Sequence, residues 1–219
     1  MAVKEKTIGI KKQEIVNFYS HISGAVLSGI GLLVLLVITW GTWDYFIISL
    51  VYGLGAVNLF TSSSLYHAFK RGENESSIWR KLDHIAIYIM IAGTYTPLAY
   101  AYLEGSWLWA ILGIQWGLVV AGFFFKLFFV KAPRIVTTSI YLIMGWMVVI
   151  FFSQMWQAIS VGEFVMLVFG GLSYTVGAVI YAIKKPNPFP GIFGFHEIFH
   201  LFILGGAIMH FITILLAVT

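Results

Sequence analysis

The sequence predicts an all-α membrane protein: a seven-transmembrane helix bundle with its N-terminus in the cytosol and its C-terminus outside. Three observations predict this fold, namely the composition, the number of long apolar runs and the placement of the basic residues. Hydrophobic residues make up 60% of the 219-residue chain and charged residues 10%, against about 45–50% and about 25% in soluble domains. A soluble fold of this length cannot bury so much apolar surface, whereas a bilayer solvates it. The chain has no cysteine, so disulfides and cysteine-ligated metal sites are excluded.

Seven apolar runs are long enough to cross a hydrocarbon core, which takes about 20 residues. They lie near residues 19–40, 45–69, 82–103, 106–128, 135–156, 162–183 and 194–217. The polar segment 1–18 is expected to be a cytosolic N-terminal segment, and residues 19–219 to form the seven-helix transmembrane domain. No small-residue cleavage site follows the first run, so we expect that run to be retained as a helix.

The basic residues predict the orientation. With the N-terminus in the cytosol, all 13 Lys and Arg residues fall on the cytosolic side. They are Lys4, Lys6, Lys11, Lys12, Lys70, Arg71, Arg80, Lys81, Lys126, Lys131, Arg134, Lys184 and Lys185. The opposite turns hold Asp44, Glu104 and Glu163 and no basic residue, the asymmetry that the positive-inside rule describes. Because the basic residues are dispersed between apolar runs, we expect no nucleic-acid partner.

Three short motifs place polar residues at helix ends. SSSLYH holds Ser63 and His67, RKLDH holds Asp83, and HEIFH holds His196 and His200. Ionisable groups inside a bilayer are energetically costly, so each is a functional candidate. The orientation predicted from charge brings all three motifs to the cytosolic face, at the ends of the second, third and seventh spans.

These residue types indicate a zinc site. Histidines at positions i and i+4 share one face of a helix, a common arrangement for binding zinc. His67 would complete a three-histidine site with His196 and His200, and its open fourth position would carry water, as in a catalytic zinc centre. Zinc lowers the pKa of bound water to about 7 and polarises a carbonyl. Asp83 would then hydrogen-bond that water or act as general base, and Ser63 would orient a ligand or hold a substrate oxygen.

Structural interpretations compete with these roles. Histidines at helix ends often contact headgroups, and we interpret His21 in this way. Asp83 is also suited to capping the third helix, and Ser63 to bonding its own backbone. Glu197 would pair with a loop Lys or Arg. His210 is about 15 Å further across the membrane than His200, and we interpret it as a buried polar contact.

At these motifs the chain resembles the hemolysin III-like bacterial branch of the progestin and adipoQ receptor (PAQR) superfamily. The matching segments are SSSLYH, RKLDHIAIYIMIAGTYTP and HEIFHLF. The resemblance implies zinc on His67, His196 and His200 with Asp83 and Ser63 nearby, in a multi-pass protein of the bacterial plasma membrane. It also implies similarity to alkaline ceramidases, and the bacterial members have been linked to haemolysis and to membrane homeostasis. Where the family motif often has Asn three residues before the Asp, this chain has Arg80.

Three functions therefore remain open. The first is an intramembrane, zinc-dependent hydrolase acting in membrane homeostasis on a lipid amide or ester from the inner leaflet. The second is a non-enzymatic sensor or regulator of membrane state with a structural zinc. The third is a cytolysin, which the near absence of charged residues in the outer helix halves disfavours, because no polar path crosses the bilayer.

Overall fold

The computed structural model describes residues 10–72 and 75–219, and this part of the chain folds into helices without a β-strand. Within it, seven helical spans are long and apolar enough to cross a membrane, which confirms the predicted fold class. After a 3-10 turn at Lys12–Glu14 the elements are α1 Ile15–Ile38, α2 Trp43–Phe69, α3 Ile78–Tyr102, α4 Gly105–Phe129, α5 Arg134–Trp146, a 3-10 segment Met147–Phe151, α6 Phe152–Met155, α7 Val161–Ile183 and α8 Phe195–Ala217. The fifth span comprises α5, the 3-10 segment and α6.

Two helices begin four residues before their predicted starts. α1 begins at Ile15 rather than 19, and α3 at Ile78 rather than 82. The earlier start of α3 has a local cause, because Ser77 caps the helix by accepting a hydrogen bond from the Arg80 amide at 3.3 Å. Of the basic residues used for the orientation, Lys4 and Lys6 lie outside the described residues. Those that are described lie at one end of the bundle, called here the basic end.

The fifth span is interrupted at its centre. α5 gives way to the 3-10 segment at Met147, and a side chain from α3 fills the break. The Tyr95 hydroxyl donates to the Gly145 carbonyl at 2.7 Å and accepts from the Val148 amide at 2.8 Å. Backbone groups that lose their helical partners in a bilayer need such a replacement.

The bundle surface is apolar, as a lipid-facing surface should be. Exposed side chains of α1 include Val26, Leu33 and Val37. Exposed tryptophans lie at the end of the bundle opposite the basic end, among them Trp40 in the turn after α1 and Trp109 near the start of α4. Tryptophan concentrates at the depth of lipid headgroups, so these residues mark one membrane interface.

The helices that carry the candidate motifs pack together. α2 lies between α1 and α3, and α8 contacts α1, α3 and α7. α2 and α3 approach closely, since a β-carbon on Gly93 would lie 3.5 Å from the Val51 carbonyl oxygen. Small residues permit such close helix contacts in membranes. The packing therefore brings the basic ends of α1, α2, α3 and α8 to one place.

Candidate metal centre

The three predicted ligands converge at the basic end. His67 comes from the last turn of α2, and His196 and His200 from the first two turns of α8. One ring nitrogen from each lies within 4.8 Å of the other two, so the group can hold a metal ion. His67 and His200 are 1% and 2% exposed. We call these residues the histidine cluster.

The spacing of the donors suits a tetrahedral ion. The Nε2 atoms of His67 and His196 lie 3.4 Å apart. Bonds of about 2.0–2.1 Å at a tetrahedral angle place two nitrogen ligands about 3.3 Å apart. Two imidazole nitrogens at this distance satisfy each other only if one carries a proton, whereas an ion between them would accept both lone pairs.

A carboxylate that the sequence analysis did not select determines the His67 tautomer. Glu14 Oε2 lies 2.6 Å from His67 Nδ1, and Glu14 Oε1 lies 2.7 Å from Lys70 Nζ. An ionised carboxylate only accepts hydrogen bonds, so Nδ1 of His67 carries the proton and Nε2 presents its lone pair to the cluster. Carboxylate partners of this kind orient metal-binding histidines and increase their basicity.

Glu197 anchors α8 to α1. Its Oε1 accepts a hydrogen bond from Asn17 Nδ2 at 2.7 Å, and its Oε2 accepts one from the Gly194 amide at 2.7 Å. The predicted pairing with a loop Lys or Arg is therefore wrong. A carboxylate at a helix N-terminus is stabilised by the unpaired amides there, so Glu197 serves as a cap and as a tie between helices.

α1 also contacts His200 directly. Ser20 Oγ donates to the Asn17 carbonyl at 3.0 Å and lies 3.4 Å from His200 Nδ1. The His21 ring stacks on the His200 ring, with centroids 3.6 Å apart and planes 16° apart. His21 is only 3% exposed, so its predicted interfacial position is wrong: the helix turns it inward, onto the histidine cluster.

Asp83 and Ser63 meet beside the cluster. The Ser63 hydroxyl lies beside the Asp83 carboxyl group, which is also within electrostatic range of His67. The cap of α3 is Ser77, so Asp83 does not serve as the cap. The neighbouring Ser64, rather than Ser63, bonds back to the helix, donating to the Phe60 carbonyl at 2.7 Å.

A cavity of about 820 Å³ begins at this group and extends into the bundle. Its polar end is lined by Asn17, Ser63, Asp83, His196 and His200. The deeper wall is apolar and includes Leu98, Phe151, Phe164 and Leu167, with His210 among them. His210 Nε2 lies 3.2 Å from the Leu167 carbonyl oxygen of α7, a part-buried polar contact on α8 that is separate from the histidine cluster.

The α1 contribution was missed, although the sequence contains a signal for it. Glu14, Asn17 and His21 are spaced by three and four residues, which places them on one helical face. Polar residues at that spacing beside an apolar run mark a face that contacts other polar groups rather than lipid. The three motifs SSSLYH, RKLDH and HEIFH lie on α2, α3 and α8 and do not include this face.

Seven membrane-spanning helices with a histidine cluster at one end define a multi-pass membrane protein with a candidate metal centre. Residues 10–211 match the family described as haemolysin-III related, and the chain belongs to this family. The predicted resemblance and the predicted membrane location are thus confirmed.

Similar proteins are found in bacteria and in mammals. The chain is 38% identical over 209 residues to the Hemolysin-3 homolog of Bacillus subtilis (strain 168), covering 93% of each chain. It is 36% identical over 206 residues to Hemolysin-3 of Bacillus cereus, covering 93% of this chain and 91% of the relative. It is 25% identical over 202 residues to the monocyte to macrophage differentiation factor of Homo sapiens, covering 90% and 81%.

Proposed function

We propose that the protein binds zinc at His67, His196 and His200 and acts in membrane lipid homeostasis as a hydrolase of lipid amides or esters. The observation that carries this proposal is the convergence of three ring nitrogens within 4.8 Å. Three neutral imidazoles suit zinc and leave a fourth position open for a reacting group. Bound zinc would supply Lewis acidity toward a carbonyl oxygen.

Three side chains of the protein would have separate roles in the reaction. Asp83 accepts a proton from the attacking water as general base and returns it to the leaving amine or alcohol when the carbonyl C–N or C–O bond breaks. The Ser63 hydroxyl, which lies beside Asp83, would donate to its carboxylate and orient it. Glu14 holds His67 with its Nε2 lone pair toward the cluster, across the 2.6 Å contact with Nδ1.

The cavity supports a lipid as the substrate. It is polar beside the histidine cluster and apolar deeper in the bundle, lined there by side chains such as Leu98 and Phe164. Its volume of about 820 Å³ lies within the roughly 300–1,000 Å³ of ligand pockets. An acyl chain placed along the apolar wall would put its amide or ester carbonyl beside Asp83.

The substitution Asp83→Asn tests the chemistry. Asparagine keeps the size and most hydrogen bonds of the side chain but does not accept a proton at neutral pH. We expect purified Asp83→Asn to retain its zinc and to release fatty acid from membrane lipid extracts about 10²–10⁴-fold more slowly. Asp44→Asn is the matched control, since Asp44 lies at the opposite end and accepts a hydrogen bond from the exposed Tyr100 hydroxyl. Equal rates for Asp83→Asn and wild type would refute the hydrolase proposal.

A second candidate is a non-enzymatic regulator whose zinc is structural. The contacts of the first span favour it, because Glu14 of the 3-10 turn and Asn17 of α1 connect that span to α2 and α8 around the histidine cluster. A metal held there would cross-link α2 and α8. For this function we expect Asp83→Asn to behave as wild type in a membrane-stress assay, while loss of zinc abolishes the response.

A further inference from the structure

One histidine lies in the apolar part of the cavity, away from the histidine cluster. His210 follows His200 on α8 by ten residues, which is about 15 Å along the helix. It lines the cavity together with Leu98, Phe164 and Leu167. A polar side chain at this depth of a membrane is costly and is therefore a functional candidate. The proposed metal chemistry does not use it.

The backbone of α7 determines which ring nitrogen of His210 carries the proton. Nε2 lies 3.2 Å from the Leu167 carbonyl oxygen. A carbonyl oxygen only accepts hydrogen bonds, and a charged ring is costly inside a membrane, so Nε2 carries the proton and Nδ1 keeps its lone pair. No described residue donates a hydrogen bond to Nδ1. His210 therefore presents a hydrogen-bond acceptor at an apolar wall.

A second polar group lies next to this acceptor. Tyr174 of α7 also lines the cavity, and its ring lies edge-on to the His210 ring with centroids 5.2 Å apart. The Tyr174 hydroxyl is buried and has no hydrogen-bond partner among the described residues. Native structures retain few buried polar groups without partners, because each one is costly. The pair therefore indicates a ligand that forms hydrogen bonds here.

Two glycines provide the space for these rings. A β-carbon on Gly170 would collide with the His210 ring, and one on Gly206 would lie 2.8 Å from Tyr174 Cε1. A larger residue at either position would displace the ring that it faces. The packing of α7 against α8 thus holds both rings at one place in the wall. We call His210 and Tyr174 the deep polar pair.

The chemistry of the deep polar pair identifies its ligand. A hydroxyl group donates to Nδ1, can accept from a phenol and carries no charge, whereas a carboxylate or a phosphate diester offers no donor. We propose that the deep polar pair binds a hydroxyl group in the middle of the acyl chain of a lipid in the cavity. The inference rests on the proposed function, which places the lipid carbonyl beside the histidine cluster. An extended chain advances about 1.3 Å per carbon, so a distance of about 15 Å places the hydroxyl at roughly the twelfth carbon.

Binding measurements test this inference without turnover. The purified protein in a neutral detergent would be titrated with stearate, with the hydroxystearate whose hydroxyl is on roughly the twelfth carbon, and with the isomer hydroxylated next to the carboxylate. We expect the mid-chain hydroxy acid to bind about tenfold more tightly than the other two, since it alone pairs the buried acceptor. His210→Phe keeps a ring without the acceptor and should bind the three acids alike. Tyr174→Phe should lose part of the preference.

The control is Thr94→Val, which removes a hydroxyl from the same cavity. That hydroxyl already donates to the Met90 carbonyl at 2.8 Å, so this variant should keep the full preference. Zinc content and the thermal midpoint report whether each variant is folded. If His210→Phe does not fold, the comparison of the three acids on the wild-type protein still decides.

Equal affinities of the wild-type protein for the three acids would overturn the proposal, since water rather than the ligand would then satisfy His210. A full preference in a folded His210→Phe variant would also overturn it. Absence of hydrolysis would leave these affinities unchanged and would count only against the proposed function.

Discussion

Buried polar groups have different kinds of partner at the two ends of the bundle. Opposite the basic end, Glu163 accepts hydrogen bonds from the Tyr102 hydroxyl and the Ser160 amide, both at 2.7 Å. Each Glu163 oxygen thus has a local donor. At the basic end, ring nitrogens of His67 and His196 face each other at 3.4 Å, and the Glu14 carboxylate orients the His67 ring toward the cluster.

The difference separates structural polar groups from candidate functional ones. Both oxygens of the buried Glu163 carboxylate are hydrogen-bonded, so this side chain caps its helix and needs no further ligand. Lone pairs that converge on one point are costly unless a proton or a cation lies between them. The number of polar groups is therefore less informative than the direction in which their lone pairs point.

The largest expected effect is on the activity of reporter enzymes fused at the two ends of the bundle, which should lie on opposite sides of the membrane. Because the basic residues should remain in the cytosol, alkaline phosphatase fused after Thr219 should be active and the same enzyme fused after Lys185 inactive. A cytosolic reporter fused at the same two points is the reciprocal control. Phosphatase activity at both fusions, or at neither, would contradict the seven-span topology.

The next effect is on metal content. His196→Ala or His200→Ala should remove most of the bound zinc, because two remaining nitrogens compete poorly with water. His210→Ala is the matched control, since His210 bonds to the Leu167 carbonyl rather than to the cluster. Elemental analysis of the purified variants measures the result. Full zinc content in both cluster variants would place the metal elsewhere.

A smaller effect is expected for the carboxylate behind His67. Glu14→Gln removes the charge that fixes the Nδ1–H tautomer, across a contact of 2.6 Å. Loss of such a partner weakens metal affinity about 10–100-fold, which competition with a zinc chelator measures. Glu104→Gln, at an exposed turn position, should leave the affinity unchanged. An unaltered affinity in Glu14→Gln would show that the contact does not orient the ligand.

The smallest effect belongs to the opposite end. Glu163→Gln weakens the capping box and the bond from Tyr102, and we expect a loss of about 1–3 kcal/mol of stability. The thermal midpoint in detergent should fall while zinc content stays at the wild-type level. A loss of zinc in this variant would contradict the separation between the two ends.

Sequence patterns predicted the spans well because span length is set by the bilayer and apolar composition by its solvent properties. The spacing of His196 and His200 could be read because four residues along a helix is a local property. His67 joined them because the charge pattern placed the end of the second span at the same membrane face, and the three residues do form a group that could hold a metal. Helix starts were less accurate. The cap that lets α3 begin at Ile78 depends on the single hydroxyl of Ser77.

By itself, then, the sequence determined a seven-helix membrane bundle, the end at which its basic residues lie and three histidines suited to a metal. The tertiary structure alone decided which partners surround those histidines. Glu14 and Glu197 lie 53 and 180 residues in sequence from the side chains that they bind, His67 and Asn17. The same packing places the His21 ring on the His200 ring, whereas the sequence predicted that His21 lies at the membrane interface. Such contacts depend on how α1, α2 and α8 rotate against one another, and that rotation is set by side-chain packing across helices rather than by local spacing.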